Sequence, residues 1–336
     1  MPTRPRSRNR PPSHGIRVPA DALERLTSAL FERAGMPAAD AAVMAELLVD
    51  TDLHCVFSHG TRQIPGYLSM IRQGRVNPRP AVRAVADFPA GLVLDGDGGM
   101  GHLPCHRATL ECIAKAREVG VAAATTANHF HFGAAGKYTR MALRADCIGI
   151  AMSSHRFTPN PQGTVAGACA GSPMSIAIPA GQQPPLVLDM GGPGVPATPQ
   201  ILDAIPTAVY KALGLSMSVA SLGGILPGIY RPALVPPASR WDSNQGSFVV
   251  VLDVAHYLPV GELKAEMDRY IGTARGLQPL PGEDRADTAG SAEWEWAAAN
   301  RRDGIPIGDE HRASLEVVAA ELGVPAPFAS FEATRF

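Results

Sequence analysis

Residues 91–101 read Gly91-Leu92-Val93-Leu94-Asp95-Gly96-Asp97-Gly98-Gly99-Met100-Gly101, a short apolar strand running into a formal G-x-G-x-x-G. A helical pattern follows over His106–Val119, with Leu110, Ile113 and Ala114 on its inward side. Glycines so spaced between a strand and a helix are the fingerprint of a dinucleotide-binding βαβ unit, so the reading of this stretch decides the fold class. Two features speak against a pyrophosphate cradle. Asp97 would put a carboxylate inside the turn that must receive an anion, and the next strand, Val121–Ala127, ends in Thr126 and Ala127 where an acid should meet the ribose. The stretch is read as a tight turn whose glycines supply left-handed backbone, in an α/β protein without a Rossmann domain.

Upstream, Leu23, Leu26, Leu30 and Ala34 recur at helical spacing between Pro19 and Gly35, and Ala38–Leu53 carries Val43, Leu47 and Leu48. A third helix is predicted from Ser58, which can cap it, through Ile64, Tyr67, Leu68 and Ile71 to Gly74. Downstream, strands are predicted at Ile148–Ser153, Ser175–Ile178, Leu186–Met190 and Ser247–Val254, with a weakly broken helix over Ile201–Leu222. A proline-rich loop spans Pro227–Pro237, and two helices close the chain near Leu263–Thr273 and Glu310–Leu322. The expected organisation is a disordered basic tail over residues 1–17, a helical part formed by 18–117 with 256–336, and a central sheet-rich part over 118–255.

The chain has 336 residues, of which 46% are hydrophobic and 18% charged, with 34 glycines and 31 prolines, so it carries enough apolar side chains for a core despite many turns. A formal net charge of −1 provides no field for a polyanion, which excludes nucleic-acid binding by electrostatic footprint. The five cysteines, Cys55, Cys105, Cys112, Cys147 and Cys169, are odd in number and lack a Cys-x-x-Cys pair, against a disulfide framework or zinc knuckle. No apolar run near the ~20 residues of a membrane span is expected, nor a secretory leader. A cytoplasmic protein without membrane partners follows.

Gly133-Ala134-Ala135-Gly136-Lys137-Tyr138 imitates a phosphate loop, but His131 stands where the first glycine belongs and Tyr138 where a magnesium-binding hydroxyl should be. Seven of the ten histidines (His54, His59, His102, His106, His129, His131 and His155) fall between residues 54 and 155. A metal site would use His102 and His106 with His129 and His131. Pro104 stands between the first pair, and no carboxylate or cysteine completes a ligand string, so no metal is expected.

Three segments carry groups that could converge. Phe57–Tyr67 opens with Ser58 and His59 beside Arg62 and Tyr67, candidates for holding a substrate. Asn128–Gly136 is a strand ending in histidines and small residues, and Leu186–Met190 is a strand with a lone carboxylate, Asp189. A serine, a histidine and an aspartate brought together form a relay in which the carboxylate fixes the imidazole and the imidazole passes a proton.

These residues resemble the non-Rossmann malate/L-lactate dehydrogenase family, which includes ureidoglycolate and sulfolactate dehydrogenases and Δ1-piperideine-2-carboxylate reductase. The similarity runs from about Val18 to Pro325. It is carried by Ser58-His59-Gly60 with Pro65 and Tyr67, Gly74–Pro78, Asp95–Gly98, Asn128–Gly136 with Tyr138, Ile178-Pro179, Asp189-Met190, Lys211 with Gly214-Leu215, Pro281–Glu283 and Gly304–Pro306. The resemblance implies a two-domain fold, with helical N- and C-terminal parts around a sheet-rich domain that binds NAD or NADP. It also implies a homodimer acting on small 2-hydroxy/2-oxo acids or cyclic imino acids. Ser58, His59 and Asp189 look like the relay. His131, Phe132, Gly133, Ala134 and Ala135 look like a segment touching cofactor and substrate, and Pro179 and Lys211 like further cofactor contacts. A nicotinamide hydride would pass to or from the 2-carbon while His59 or His131 moves the proton, a task suited to a group titrating near neutrality.

The chain departs from the family pattern in places. Gln63 stands where the family arginine belongs, with Arg62 one residue earlier. Ala170-Gly171-Ser172-Pro173 and Asp189-Met190-Gly191-Gly192-Pro193 lose side-chain donors, and only 22 residues separate Asp189 from Lys211. A trimmed nucleotide site is therefore predicted. Two other readings stand beside this one: a relative that has lost redox chemistry and transfers protons or binds ligands, and a metalloenzyme built on the histidine cluster.

Overall fold

A computed structural model describes residues 9–169, 171–192, 195, 198–235 and 239–336. The chain divides into two compact units, Met1–Arg79 with Ala292–Phe336, and Pro80–Ser291.

In the first unit, strand β1 (Gly15–Val18) pairs antiparallel with β9 (Ile305–Gly308), Gly15 opposite Gly308 and Val18 opposite Ile305. Helices α1 (Ala20–Arg33) and α2 (Ala38–Leu53) pack on each other through Leu23, Leu30, Phe31, Met44 and Leu48, all buried. Both helices start after a proline, whose fixed φ suits a first turn. Helix α3 (Ile64–Arg72) buries Ile64, Tyr67 and Leu68. Helix α9 (Ser291–Asp303) leads into β9, and α10 (Asp309–Leu322) ends at Gly323 in left-handed backbone, φ +66°. The expected disordered tail is corrected over 15–17: Ile16 and Val18 are fully buried in β1, a strand too short to signal itself and paired with a segment some 290 residues away. Residues 1–8 of that tail lie outside the described residues.

The second unit is a seven-stranded mixed sheet in the order β2-β3-β4-β8-β5-β6-β7. Its strands are β2 (Arg83–Phe88), β3 (Gly91–Asp95), β4 (Val121–His129), β5 (Cys147–His155), β6 (Met174–Ile178), β7 (Leu186–Met190) and β8 (Gln245–Asp253). Among the neighbouring strand pairs of the described residues, only β3 and β4 pair parallel; they are joined by helix α4 (His102–Val119), so the glycine-rich turn belongs to a βαβ step. Helix α5 (Gly136–Arg144) packs on β5 and β6, while α6 (Pro199–Ala204), α7 (Pro206–Ala220) and α8 (Val260–Arg275) complete the unit. The expected boundaries shift. Residues 80–117 join the sheet through β2, β3 and α4, and 256–291 join it through α8, whose Asp268 carboxylate accepts the backbone N–H groups of Gly181, Gln182 and Gln183.

The deciding turn is filled by protein. Gly98 has φ +71°, and a Cβ there would stand 2.1 Å from Trp241 Cδ1; Pro80 crowds Gly99 in the same way at 2.5 Å. The Asp97 carboxylate accepts the Ala81 N–H at 2.9 Å. One sequence expectation is corrected: α7 continues through a π turn (Ser221–Ile225), and Pro206–Ile225 is 20 residues long, apolar enough to meet the composition of a span, and only 28% buried. Scattered Ser, Gly and Tyr residues had broken its apolar run in the sequence. Because Gly98 combines left-handed backbone with close packing, Gly98→Ala is expected to lower unfolding stability by about 1–3 kcal/mol in urea titrations. NADH affinity of the folded protein should not change; lost affinity at unchanged stability would restore the phosphate-cradle reading.

Candidate active site

In the first unit, the predicted helix from Ser58 is replaced by two single 3-10 turns, Phe57–His59 and Thr61–Gln63, before α3 begins at Ile64. The break at Gly60 has a physical cause. The buried Asp52 carboxylate occupies the side-chain position of Gly60, with Oδ1 1.8 Å from where a Cβ would lie. Asp52 Oδ2 accepts the Thr61 N–H at 3.1 Å and the Thr61 hydroxyl at 2.5 Å. Gln63, at the position where the family carries arginine, donates from Nε2 to the Ser58 carbonyl at 2.6 Å. The turn holds Ser58 Oγ 2.9 Å from His59 Nδ1.

Ser58 and Arg62 line a cavity of about 400 Å³ with Arg10, His14, Cys55, Phe57, Glu310 and His311. The break at Gly60 uncouples the two turns, and Arg62, in the second, lines the same cavity as Ser58 in the first. Its guanidinium lies 3.5 Å from the Glu310 carboxylate, and both side chains are exposed, so the pair is weak and displaceable. Tyr67 is placed differently from expectation. It is buried in the core of this unit, burial pushes its phenol far above the ordinary range, and it does not line the cavity.

His311, the third residue of α10, is a cavity residue that the sequence did not signal. It is buried, its Nε2 lies 3.0 Å from Thr61 Oγ1, and its ring meets Phe57 edge-on at 5.9 Å. Burial, and then the nearby Arg62, lower its pKa to about 4, so the ring is neutral at neutral pH. Nothing in the spacing of α10 distinguishes this histidine from one packed in the core.

In the second unit, β4 ends in a bulge between Thr126 and His129, with Asn128 in left-handed backbone at φ +55°. Asparagine tolerates this conformation, and here Asn128 also donates to Asp95 Oδ1 at 2.8 Å and accepts from Ser243 Oγ at 2.7 Å. Fully buried His129 places Nδ1 2.9 Å from the Phe130 carbonyl, which can only accept, so Nδ1 carries the proton. Its Nε2 then accepts from Thr126 Oγ1 at 2.8 Å, and Thr126 lies 2.6 Å from Ser247 Oγ. Burial lowers the His129 pKa to about 4. This network holds the peptide that leads to half-buried His131.

Past His131, Gly133 takes φ +82°, and Ala134 and Ala135 are buried ahead of α5. The Phe132 ring is in the core, 4.7 Å from that of Tyr138, whose hydroxyl donates to the Phe132 carbonyl at 2.7 Å. Its side chain is thus withdrawn from any ligand, leaving backbone contact. Lys137 of the rejected phosphate loop is also buried, donating to His102 Nε2 at 3.1 Å. That engagement of His102, with both ring nitrogens of His129 committed, argues against the metal reading. Among the described residues no group of three or more His, Cys, Asp or Glu could hold a metal ion.

Asp189 of β7 sits against the start of α5. Its Oδ2 and Arg140 Nη1 lie 2.4 and 2.8 Å from the side-chain position of Gly136. A carboxylate is stabilised at such a helix N-terminus. The structure therefore places Ser58 and Arg62 on one cavity of the first unit, with His59 at hydrogen-bond distance from Ser58 but not in the cavity lining, and Asp189 against Gly136 in the other unit. Pro179 is buried after β6, and Lys211 is exposed on α7. Its neighbours Tyr210 and Ala212 line an apolar cavity of about 240 Å³ with Val165, Cys169, Leu202 and Leu213. The slot offers an apolar wall, and Lys211 a cation next in sequence to two of its lining residues. Of the residues expected to lose cofactor donors, Ser172 donates instead to Ser154 Oγ at 2.9 Å, and Ala170 and Pro193 lie outside the described residues.

A model of the malate/L-lactate dehydrogenase family matches residues 18–197 and 198–316. The chain belongs to that family. It is 27% identical to malate dehydrogenase from Pyrococcus horikoshii, over 92% of this chain and 96% of that protein. It is 26% identical to L-sulfolactate dehydrogenase from Methanocaldococcus jannaschii, over 90% and 96% respectively. The solved structure of the Pyrococcus horikoshii enzyme superimposes with a TM-score of 0.82 at 26% identity, covering 95% of this chain and 99% of that one. The α/β architecture, with its mixed sheet flanked by helices, is the fold of the malate/L-lactate dehydrogenase family.

The two buried histidines make stability depend on pH. Their ordinary value is about 6.5 and their folded value about 4, so the unfolded chain takes up protons first as pH falls. Their stabilising contribution is complete above about pH 6.5 and is lost as pH falls toward 4. Denaturation curves across this window should show a His129→Gln variant with a pH slope shallower than wild type by up to about 1.4 kcal/mol per pH unit. Identical slopes would contradict a neutral, buried His129.

Proposed function

We propose that the protein is an NAD- or NADP-dependent oxidoreductase of small 2-hydroxy/2-oxo acids or cyclic imino acids. The observation that carries this reading is the Ser58–His59 pair, 2.9 Å apart and one short turn ahead of Arg62, in a chain of the malate/L-lactate dehydrogenase family. When bound, the nicotinamide supplies or accepts the hydride at the substrate 2-carbon. His131, the backbone of Phe132, Gly133, Ala134 and Ala135, together with Pro179 and Lys211, are the residues assigned to holding it.

The chain's own groups handle the carboxylate and the proton. Arg62 exchanges the exposed Glu310 carboxylate for that of the substrate, a charge-assisted contact able to fix orientation. In its charged form the His59 ring donates from Nδ1 to the Ser58 hydroxyl oxygen, while its Nε2–H delivers the proton to the carbonyl or imine. The neutral ring keeps its Nδ1 proton, and Nε2 recovers a proton in the reverse direction. Asp189, held at the start of α5 in the unit that also carries His131, keeps the relay role that the family resemblance gives it. A homodimer in the cytoplasm is part of the same reading; five free thiols suit a reducing compartment.

Fluorescence titration with NADH and NADPH, followed by a turnover screen over 2-oxo acids and cyclic imino acids, tests the proposal. At least one nucleotide should bind and at least one substrate turn over. With that substrate, His59→Gln is expected to lower kcat by about 100-fold or more. Arg62→Ala should chiefly raise KM, and Glu310→Gln should lower it. His131→Ala and Asp189→Asn should reduce turnover far more than thermal stability. Failure of both nucleotides to bind would leave a family relative without redox chemistry.

A further inference from the structure

A polar line crosses the first unit beneath the Ser58–His59 turn, made of residues from three separate segments. Asp52 lies at the end of α2, Thr61 in the turn, and His311 near the start of α10, 250 residues further along the chain. All three are buried, with 5% exposure or less. The direction of the line follows from proton counting. A threonine hydroxyl has one proton and can accept on its oxygen. With Asp52 Oδ2 at 2.5 Å that proton goes to the carboxylate, so toward His311 the Thr61 oxygen accepts and His311 Nε2 must donate. The imidazole is thereby locked in its Nε2–H tautomer, and its low pKa keeps it neutral.

We propose that Asp52, Thr61 and His311 form a positioning chain, in which α10 and α2 clamp the Thr61 peptide and so set the orientation of His59 and Arg62. The proposal rests on the reading of the Ser58–His59 turn as the reaction centre. Gly60 is the peptide between His59 and Thr61, and its conformation, φ −99° and ψ −146°, is dictated by the Asp52 carboxylate filling its side-chain space. Thr61 in turn precedes Arg62. A change at the Thr61 hydroxyl therefore acts on the groups on both sides of it without touching substrate. A misplacement on the ångström scale costs about 100-fold in rate.

Thr61→Val keeps the shape of the side chain and removes the hydroxyl; Thr61→Ser keeps the hydroxyl. Thr61→Val is expected to lower kcat about 10- to 100-fold with unchanged NADH and NADPH affinity, and Thr61→Ser to recover to within about threefold of wild type. An unchanged kcat in folded Thr61→Val, or a loss that Thr61→Ser shares equally, overturns the positioning role. A second readout needs no turnover. Nitrogen-15 imidazole spectra of the full chain without ligands, assigned with His59→Gln and His311→Gln, should show His311 as Nε2–H at pH 7. In Thr61→Val they should show a mixed tautomer at His311 and a displaced His59 resonance. A His311 already protonated at Nδ1 in wild type, or a His59 resonance unmoved in Thr61→Val, overturns the chain. If the wild type turns over no substrate, the oxidoreductase reading falls while these spectra still decide the chain.

Discussion

A carboxylate removed from water must find donors, and where it finds them decides the backbone around it. Asp52 is buried at the end of α2, and it accepts the N–H and hydroxyl of one threonine nine residues on. Everything distinctive about the first unit's turn follows from that demand. The helix that apolar spacing would start at Ser58 cannot form through Gly60, because the carboxylate already occupies the space of its side chain. The chain breaks into two tight turns, the second of which swings Arg62 to the cavity that Ser58 lines. The glycine of Ser-His-Gly is thus needed for the room it leaves and not for an unusual φ.

The second unit solves a similar problem with neutral groups. The strand β4 must leave the sheet and deliver His131, and it does so through a left-handed asparagine and a buried histidine whose two nitrogens are both engaged. Keeping that histidine uncharged is what makes the arrangement tolerable, since an imidazolium in the same place would carry an uncompensated desolvation cost. In both units, then, the candidate histidines His59 and His131 are partly exposed, while the side chains that fix the backbone beneath them are buried and hydrogen-bonded.

How much of this can be read from residues alone depends on where the information resides. Helix α2, β3 and β7 end at the residues the pattern predicts, because their apolar spacing and flanking glycines or prolines are local signals. Strands β1 and β9 carry only four residues each and exist because they pair across the length of the chain, and β2, exposed on both faces, has no alternation to detect. The site divides along the same line. Ser58, His59 and His131 stand in short contiguous motifs, whereas His311 acquires meaning only from its contact with Thr61. Gln63 reads as a missing arginine, yet in the fold it ties down the Ser58 carbonyl. Tyr67 and Phe132 belong to the motifs but spend their rings on the core, a distinction between recognisable and accessible that periodicity cannot make.

The pairing of Gly15–Val18 with Ile305–Gly308 also orders events during synthesis. The second unit is one uninterrupted stretch, Pro80–Ser291, and can complete its sheet while the ribosome is still working. The first unit is assembled from both flanks of that insert. Its N-terminal helices can pack on each other early, but the unit must wait until residues 305–308 emerge to close the two-stranded sheet and α10 brings His311 to Thr61. The part of the molecule that holds Ser58, His59 and Arg62 is therefore the last to become native.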